Sequence, residues 1–333
     1  MHIRMQQLLI IVLYASFIAC NGRWSDIPEI DSSKCDFGKI STPVSGQLYE
    51  GIQGALLASR FETLEEFKSV VQLEYFKDDL SRDSNVAANS IVRLKHCNKG
   101  VGVVSILESG LSQDDIVKAR DGGLIDRLSL LMHSPYAIAN RMELNKIYSL
   151  ARWKSKIFGE GDVAFYDLAK ASVNNINTDN LAFKIDRDSS DKGYLNTFNH
   201  FTAQAFITTF YSEELADFIA DIHELHNMPK LTSGDFTEDE LTSQTNNPID
   251  NYVDMINNEW GQEMGKQLKE KYSINQLTYW TPGLLANYLN EIQQYYSWAF
   301  QIGFQPFRKE DEVVVRFSNK INVVMKGMPL EWE

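Results

Sequence analysis

Cysteine, proline and positive charge are all scarce in this chain. Three cysteines and eight prolines occur among 333 residues. No CxxC pair or Cys/His zinc spacing is present, which excludes a structural zinc finger. Lysine and arginine total 32 against 45 aspartates and glutamates, for a net charge of -13. So acidic a surface repels phosphate backbones, and nucleic acid is disfavoured as a partner. Also missing are a GxSxG nucleophile elbow, a P-loop and a glycine-rich dinucleotide fingerprint. Hydrophobic residues at 44% and aromatics at 11% nonetheless describe a folded protein. The length allows one large or two modest domains.

What is present begins with the opening segment, MHIRMQQLLIIVLYASFIAC. His2 and Arg4 give it a positive start, and Leu8 to Ala19 are apolar apart from Tyr14 and Ser16. A signal peptide needs an apolar core of roughly 7–15 residues, whereas a membrane-spanning helix needs about 20. The run fits export better than a short uncleaved anchor. Its FIAC ending resembles the lipobox of bacterial lipoproteins, which implies lipidation of Cys20 and attachment to a membrane of the cell envelope. Residues 1–19 then read as a signal peptide and 20–45 as a tether. With Cys20 lipidated, Cys35 and Cys97 remain as an even pair in an oxidising compartment, either bridged or as two thiols.

The expected fold class is mainly α. Residues 46–170 read as a helical N-terminal region. TLEEFKSVVQLEYF begins a helix after a Thr63 cap, and Ser112 caps another that breaks at Gly122–Gly123. GVGVVSIL suits a strand or a buried helix end. Residues 171–300 read as a helical, bundle-like domain. It is entered through an Asn/Asp-rich loop at 171–193 and carries helices at about 194–210, 213–228 and 249–272. Pro229 closes the second of these. Thr281-Pro282 opens a further helix, with proline at its favoured first position. In the tail, 301–333, the runs EVVVRF and INVVM predict a small β-hairpin.

Residues three and four apart share a helix face. That rule aligns Asn196, His200 and Gln204 on one helix, and His223 and His226 on the next with Glu224 beside them. On the third it aligns Asp254, Asn257, Asn258, Gly261 and Gly265. The glycines allow another backbone to approach closely. Buried polar groups must be paired, so three such stripes predict a shared network.

In order and spacing, NTFNH, ADIHE and DMINNEWG resemble an uncharacterised helical domain of secreted bacterial proteins. That domain also forms the C-terminal module of some polymorphic-toxin-like and RHS-type proteins. The matching positions are Asn196, Phe198, His200, His223, Glu224, Asp254, Asn257, Asn258 and Gly261, within about residues 190–275. The family pattern has a basic residue where Asn199 stands here. The resemblance implies a helical fold and carries no defined activity.

Two imidazoles and a carboxylate suffice to hold a catalytic divalent metal with an open position, and zinc suits them best. His200, His223 and Asp254 are the candidate ligands. Glu224 is the candidate proton acceptor, and Asn258 the candidate group for polarising a substrate carbonyl or phosphoryl. Asn196 and Asn257 would support them. HELH is not HExxH, so zinc-protease geometry is not expected; His226 suits a helix C-terminus. Two functions follow: a metal-assisted hydrolase of the envelope, or a non-catalytic envelope lipoprotein that binds a protein partner and whose polar cluster is architectural.

Overall fold

A computed structural model describes residues 54–77, 90–98, 101–110, 112–243 and 245–326. The expected signal peptide, the tether, Cys20 and Cys35 lie outside the described residues. Cys97 is disulfide-bonded.

Thr63 caps α1 (Leu64–Lys68) by accepting from the Glu66 amide. The helix is shorter than TLEEFKSVVQLEYF suggested, because the chain from Val71 onward pairs as a strand. Strands β1 (Val71–Lys77), β2 (Ser90–Asn98) and β3 (Val101–Glu108) form an antiparallel sheet in that order. Leu73 lies opposite Leu94, and Leu94 opposite Ser105. Side chains alternate across a sheet, so Val71, Val92, Leu94, Val103 and Leu107 turn into the core together. The N-terminal region is therefore only partly helical, and VGVVSIL falls in β3.

Helices α2 (Gln113–Asp121) and α3 (Leu124–His133) follow, separated at Gly122–Gly123. Next come α4 (Pro135–Ala139), α5 (Arg141–Ala151), α6 (Ser155–Phe158), α7 (Phe165–Asn174) and α8 (Asp179–Ala182). The centre of the fold is α9 (Tyr194–Phe210), α10 (Glu213–Asn227) and, after the short α11 (Glu238–Thr242), α12 (Pro248–Lys271). Ser212 caps α10 and Asn247 caps α12, each through its side-chain oxygen. The α12 helix is buried along most of its length, with α9 on one side and α10 and the sheet on others. Tyr75 and Tyr252 share a hydroxyl–hydroxyl bond of 2.9 Å, tying β1 to α12. The Trp260 indole donates to His96 Nδ1 at 3.4 Å, tying β2 to the same helix.

Close packing of α9 on α12 depends on the two glycines. A Cβ at Gly261 would meet the Phe201 carbonyl oxygen at 2.5 Å, and one at Gly265 would meet the Ala205 carbonyl oxygen at 2.5 Å. Helix α13 (Pro282–Phe300) starts at its Thr281 cap and stacks Tyr296 on Phe198 with ring centroids 3.9 Å apart.

The predicted C-terminal hairpin is replaced by α14 (Glu312–Met325). Val314, Phe317, Ile321 and Val324 are buried, a spacing of three and four that follows the helical period. β-Branched residues favour strands only weakly, and tertiary burial overrides them. Lys320 fixes this helix to the core. Its ammonium donates to Asp162 at 2.9 Å and to the Arg152 and Val163 carbonyls at 2.9 and 2.7 Å. Among the described residues no helix is long and apolar enough to cross a membrane.

Candidate functional site

The three polar stripes meet where α9, α10 and α12 pack. His200 projects from α9 between two acidic groups. Its Nε2 lies 3.4 Å from Asp254 Oδ2, and its Nδ1 lies 3.8 Å from Glu224 Oε1. Nδ1 also stands 3.1 Å from Asn258 Oδ1, and the Asn258 amide reaches Glu224 Oε1 at 3.5 Å. Asn196 donates to both oxygens of Asp254, at 2.9 and 3.0 Å. His223 completes the group, its ring centroid 5.6 Å from that of His200.

A polar cleft of about 410 Å³ opens over these residues. Asn196, His200, His223 and Asp254 form its walls, joined by Lys192 and Asp250, which are ion-paired to each other. Glu224 is fully buried behind them, and its Oε2 has no hydrogen-bond partner among the described residues. A carboxylate oxygen buried without a partner is costly. Beside two imidazoles, that vacancy in its hydrogen bonding suits a cation.

Burial sets the protonation of the site. It pushes the Glu224 and Asp254 carboxyls well above the usual carboxylate range, and the neighbouring Asp250 charge adds to the effect. Burial lowers His200, partly offset by its bond to Asn258. Burial against its neighbours, with the nearby His200 as a lesser cause, brings His223 down to about 4, although the residue as a whole stands exposed at the rim. Both imidazoles are therefore neutral near pH 7, the form that binds metals.

One ligand atom from each of His200, His223 and Glu224 can be chosen so that all three lie within 4.8 Å of one another. This is the set that could hold a metal ion, and it differs from the expected one by Glu224 in place of Asp254. No family model, curated protein or solved structure matches the chain. Any activity must therefore be argued from the chemistry of the cleft.

The expected residues divide clearly. His200, His223, Glu224, Asp254, Asn258 and Asn196 come together. Asn257 does not: its side chain accepts from the Leu56 amide at 2.7 Å and donates to the Leu56 carbonyl at 2.9 Å. Helical rotation turns Asn257 away from Asn258, into a backbone contact that fastens the chain before α1. Gln204 bonds to Gln262 at 3.4 Å, farther along the same helix pair. His226 lines the rim of the cleft near the C-terminus of α10. Lys192 and Asp250 were missed. Asp250 precedes Asp254 by one helical step and was legible on that ground, whereas Lys192 lies in a loop and gave no sequence signal.

Proposed function

We propose that the protein is an exported, lipid-anchored protein of the cell envelope that hydrolyses an amide, ester or phosphoester with the help of a divalent metal. The observation that carries this reading is the convergence of His200, His223 and Glu224 ligand atoms within 4.8 Å beside an open polar cleft. When bound there, a divalent cation supplies Lewis acidity and makes nearby water acidic. Zinc suits two neutral imidazoles and a carboxylate. The buried position of Glu224 fits the role of ligand better than that of base. Asp254, in the cleft wall, is better placed to take a proton from attacking water. Asn196 holds the Asp254 carboxylate, and Asp254 in turn orients the His200 ring. In the reaction, water adds to the acyl or phosphoryl centre, the bond to nitrogen or oxygen breaks, and the leaving group departs with the proton. The helical-domain resemblance of residues 190–275 and lipidation at Cys20 belong to the same proposal.

Metal content of the protein purified without chelator is the deciding measurement, with His200→Ala and His223→Ala alongside. Near-stoichiometric metal that both substitutions abolish, with the fold intact, is the expected result. A metal-free parent whose variants lose heat stability sinks the hydrolase reading.

A second reading, a non-catalytic lipoprotein with a protein partner, draws on a different observation. Leu124 and Ile125 of α3 are 75% and 82% exposed, with Leu128 exposed on the same helix. An apolar face of this kind suits a partner surface.

A further inference from the structure

A second and larger cleft, about 1430 Å³, lies between β3, α10 and α12, with α2, α3 and α4 contributing its other walls. Asp217 and Asp221 from α10 and Glu259 from α12 line it. The two aspartates are one helical step apart, so they share a face. The Asp217 carboxylate is hydrogen-bonded by Gln262, and that of Glu259 by the Ser105 hydroxyl. Among the described residues none of the three forms an ion pair. The three lysines of the same cleft are engaged elsewhere: Lys118 pairs with Asp115 at 3.7 Å. Lys266 pairs with Glu213 at 2.8 Å and Glu263 at 2.6 Å, and Lys269 donates to the Tyr211 carbonyl at 2.7 Å.

An independent observation points to a ligand. Thr208 of α9 lines this cleft and is 2% exposed, yet its hydroxyl has no hydrogen-bond partner among the described residues. The other three threonines of that helix are all bonded. Thr197 donates to the Leu56 carbonyl at 3.0 Å, Thr202 meets the Tyr296 hydroxyl at 3.0 Å, and Thr209 donates to the Gly265 carbonyl at 3.0 Å. A buried hydroxyl left unpaired costs about 1–3 kcal/mol, so an occupant that bonds to it gains affinity.

The cleft also contains a ring pair. Tyr136 and Phe218 lie with centroids 4.9 Å apart beside the carboxyls. Aromatic faces and carboxylates together are the chemistry that recognises alkylammonium groups. A single metal ion fits less well, because among the described residues the histidine cleft alone brings three ligand atoms close enough. The volume exceeds the upper end of ordinary ligand pockets, about 1,000 Å³, which favours an elongated molecule.

We propose that this cleft binds an aliphatic polyamine, with its ammonium groups among Asp217, Asp221 and Glu259. Thr208 Oγ1 accepts one N–H, and the methylene chain lies along Tyr136 and Phe218. The site shares no lining residue with the histidine cleft.

Burial holds Glu259 well above the carboxylate range and brings Asp217 up to about 6. Glu259 faces Asp217, Glu213 and Glu263, and Asp217 also faces Glu213. A polycation placed among them favours their charged forms, so binding releases protons to the buffer.

Calorimetric titration of the whole protein with spermidine, in two buffers of different ionisation enthalpy, tests the site. The expected result is saturable binding with Kd below about 1 mM and net proton release. Asp221→Asn and Glu259→Gln each weaken it by about tenfold or more, the loss expected for a charged hydrogen bond. Thr208→Val weakens it by a few-fold. The isosteric amides keep the volume of the neutral carboxyls, so the fold persists, and thermal melts verify it. The exposed Glu310→Gln leaves binding unchanged. No saturable heat overturns the proposal. So does equal weakening by Glu310→Gln, or full competition by magnesium, since either marks diffuse attraction to an acidic surface.

Discussion

Asp254 Oδ2 stands 3.4 Å from the Nε2 of His200, across the contact between α12 and α9. The carboxylate is itself held by Asn196, which donates to both of its oxygens. A carboxylate at one ring nitrogen fixes the orientation of the imidazole, and the Asn258 amide oxygen holds the other. That other nitrogen, Nδ1, faces Glu224 and Asn258. The pair therefore links the helix framework to the proposed metal position.

Glu224→Gln separates a ligand role from a structural one. Burial pushes the parent carboxyl well above the carboxylate range, and the amide matches its shape without a charge. The metal-free variant should melt at or above the parent temperature near neutral pH. Its metal affinity should fall by at least about tenfold, as for other losses around a metal site. A destabilised variant with unchanged metal affinity contradicts the assignment; calorimetry and metal titration read both.

Stability of the metal-free protein should decline on the alkaline side. Burial raises Asp221, Glu224, Asp254 and Glu259, so the folded state binds more protons than the unfolded chain. Their contribution is present below the unfolded carboxylate range, about pH 4, and is lost as pH rises through the folded values. The histidines act in the opposite sense. His96 and His223 come down to about 4 from 6.5. Their contribution is complete above 6.5 and lost as pH falls toward 4. Above about pH 6.5 the histidine contribution is complete, and the carboxyl contribution continues to decline as pH rises toward the folded values. The melting temperature should fall across that window, and fall less in Asp221→Asn. A flat or rising profile refutes the account.

Gly261→Ala should destabilise the fold by about 1–3 kcal/mol, the usual cost of overpacking. The new methyl would meet the Phe201 carbonyl oxygen and the Gln204 Cβ at 2.5 and 3.0 Å. Relief requires α9 and α12 to separate, which also moves His200 away from Asp254. Denaturant unfolding measures the first effect and metal affinity the second. Unchanged stability would show that the helices have slack at this crossing.

Asn257→Ala should cost about 1–3 kcal/mol, because it leaves the Leu56 amide without its buried partner, while the Leu56 carbonyl keeps its bond from Thr197. Metal affinity should survive in the folded variant, since Asn257 stands outside the cleft. Equal loss of metal binding and stability would return Asn257 to the site.

Local chemistry in the sequence determined where the central helices begin and end. Ser212, Pro229 and Thr281-Pro282 act within one helical turn, and the expected spans at 194–210, 213–228 and 249–272 match α9, α10 and α12 to within a residue or so. The i, i+4 rule also identified His200, His223, Glu224, Asp254 and Asn258 as one neighbourhood, because residues on one face must meet whatever packs there. Tertiary structure decided the rest. VVQLEYF became a strand because β2 lay beside it, and EVVVRF joined a helix because its buried side was needed against the core. Which of two adjacent asparagines joined His200 and Glu224 depended on the rotation of α12 against α9. Placing Glu224 behind the histidines, and Asp217, Asp221 and Glu259 around a second cleft, required helices distant in sequence to share one dry interface. No local pattern encodes that proximity, because it arises only when burial brings the faces together.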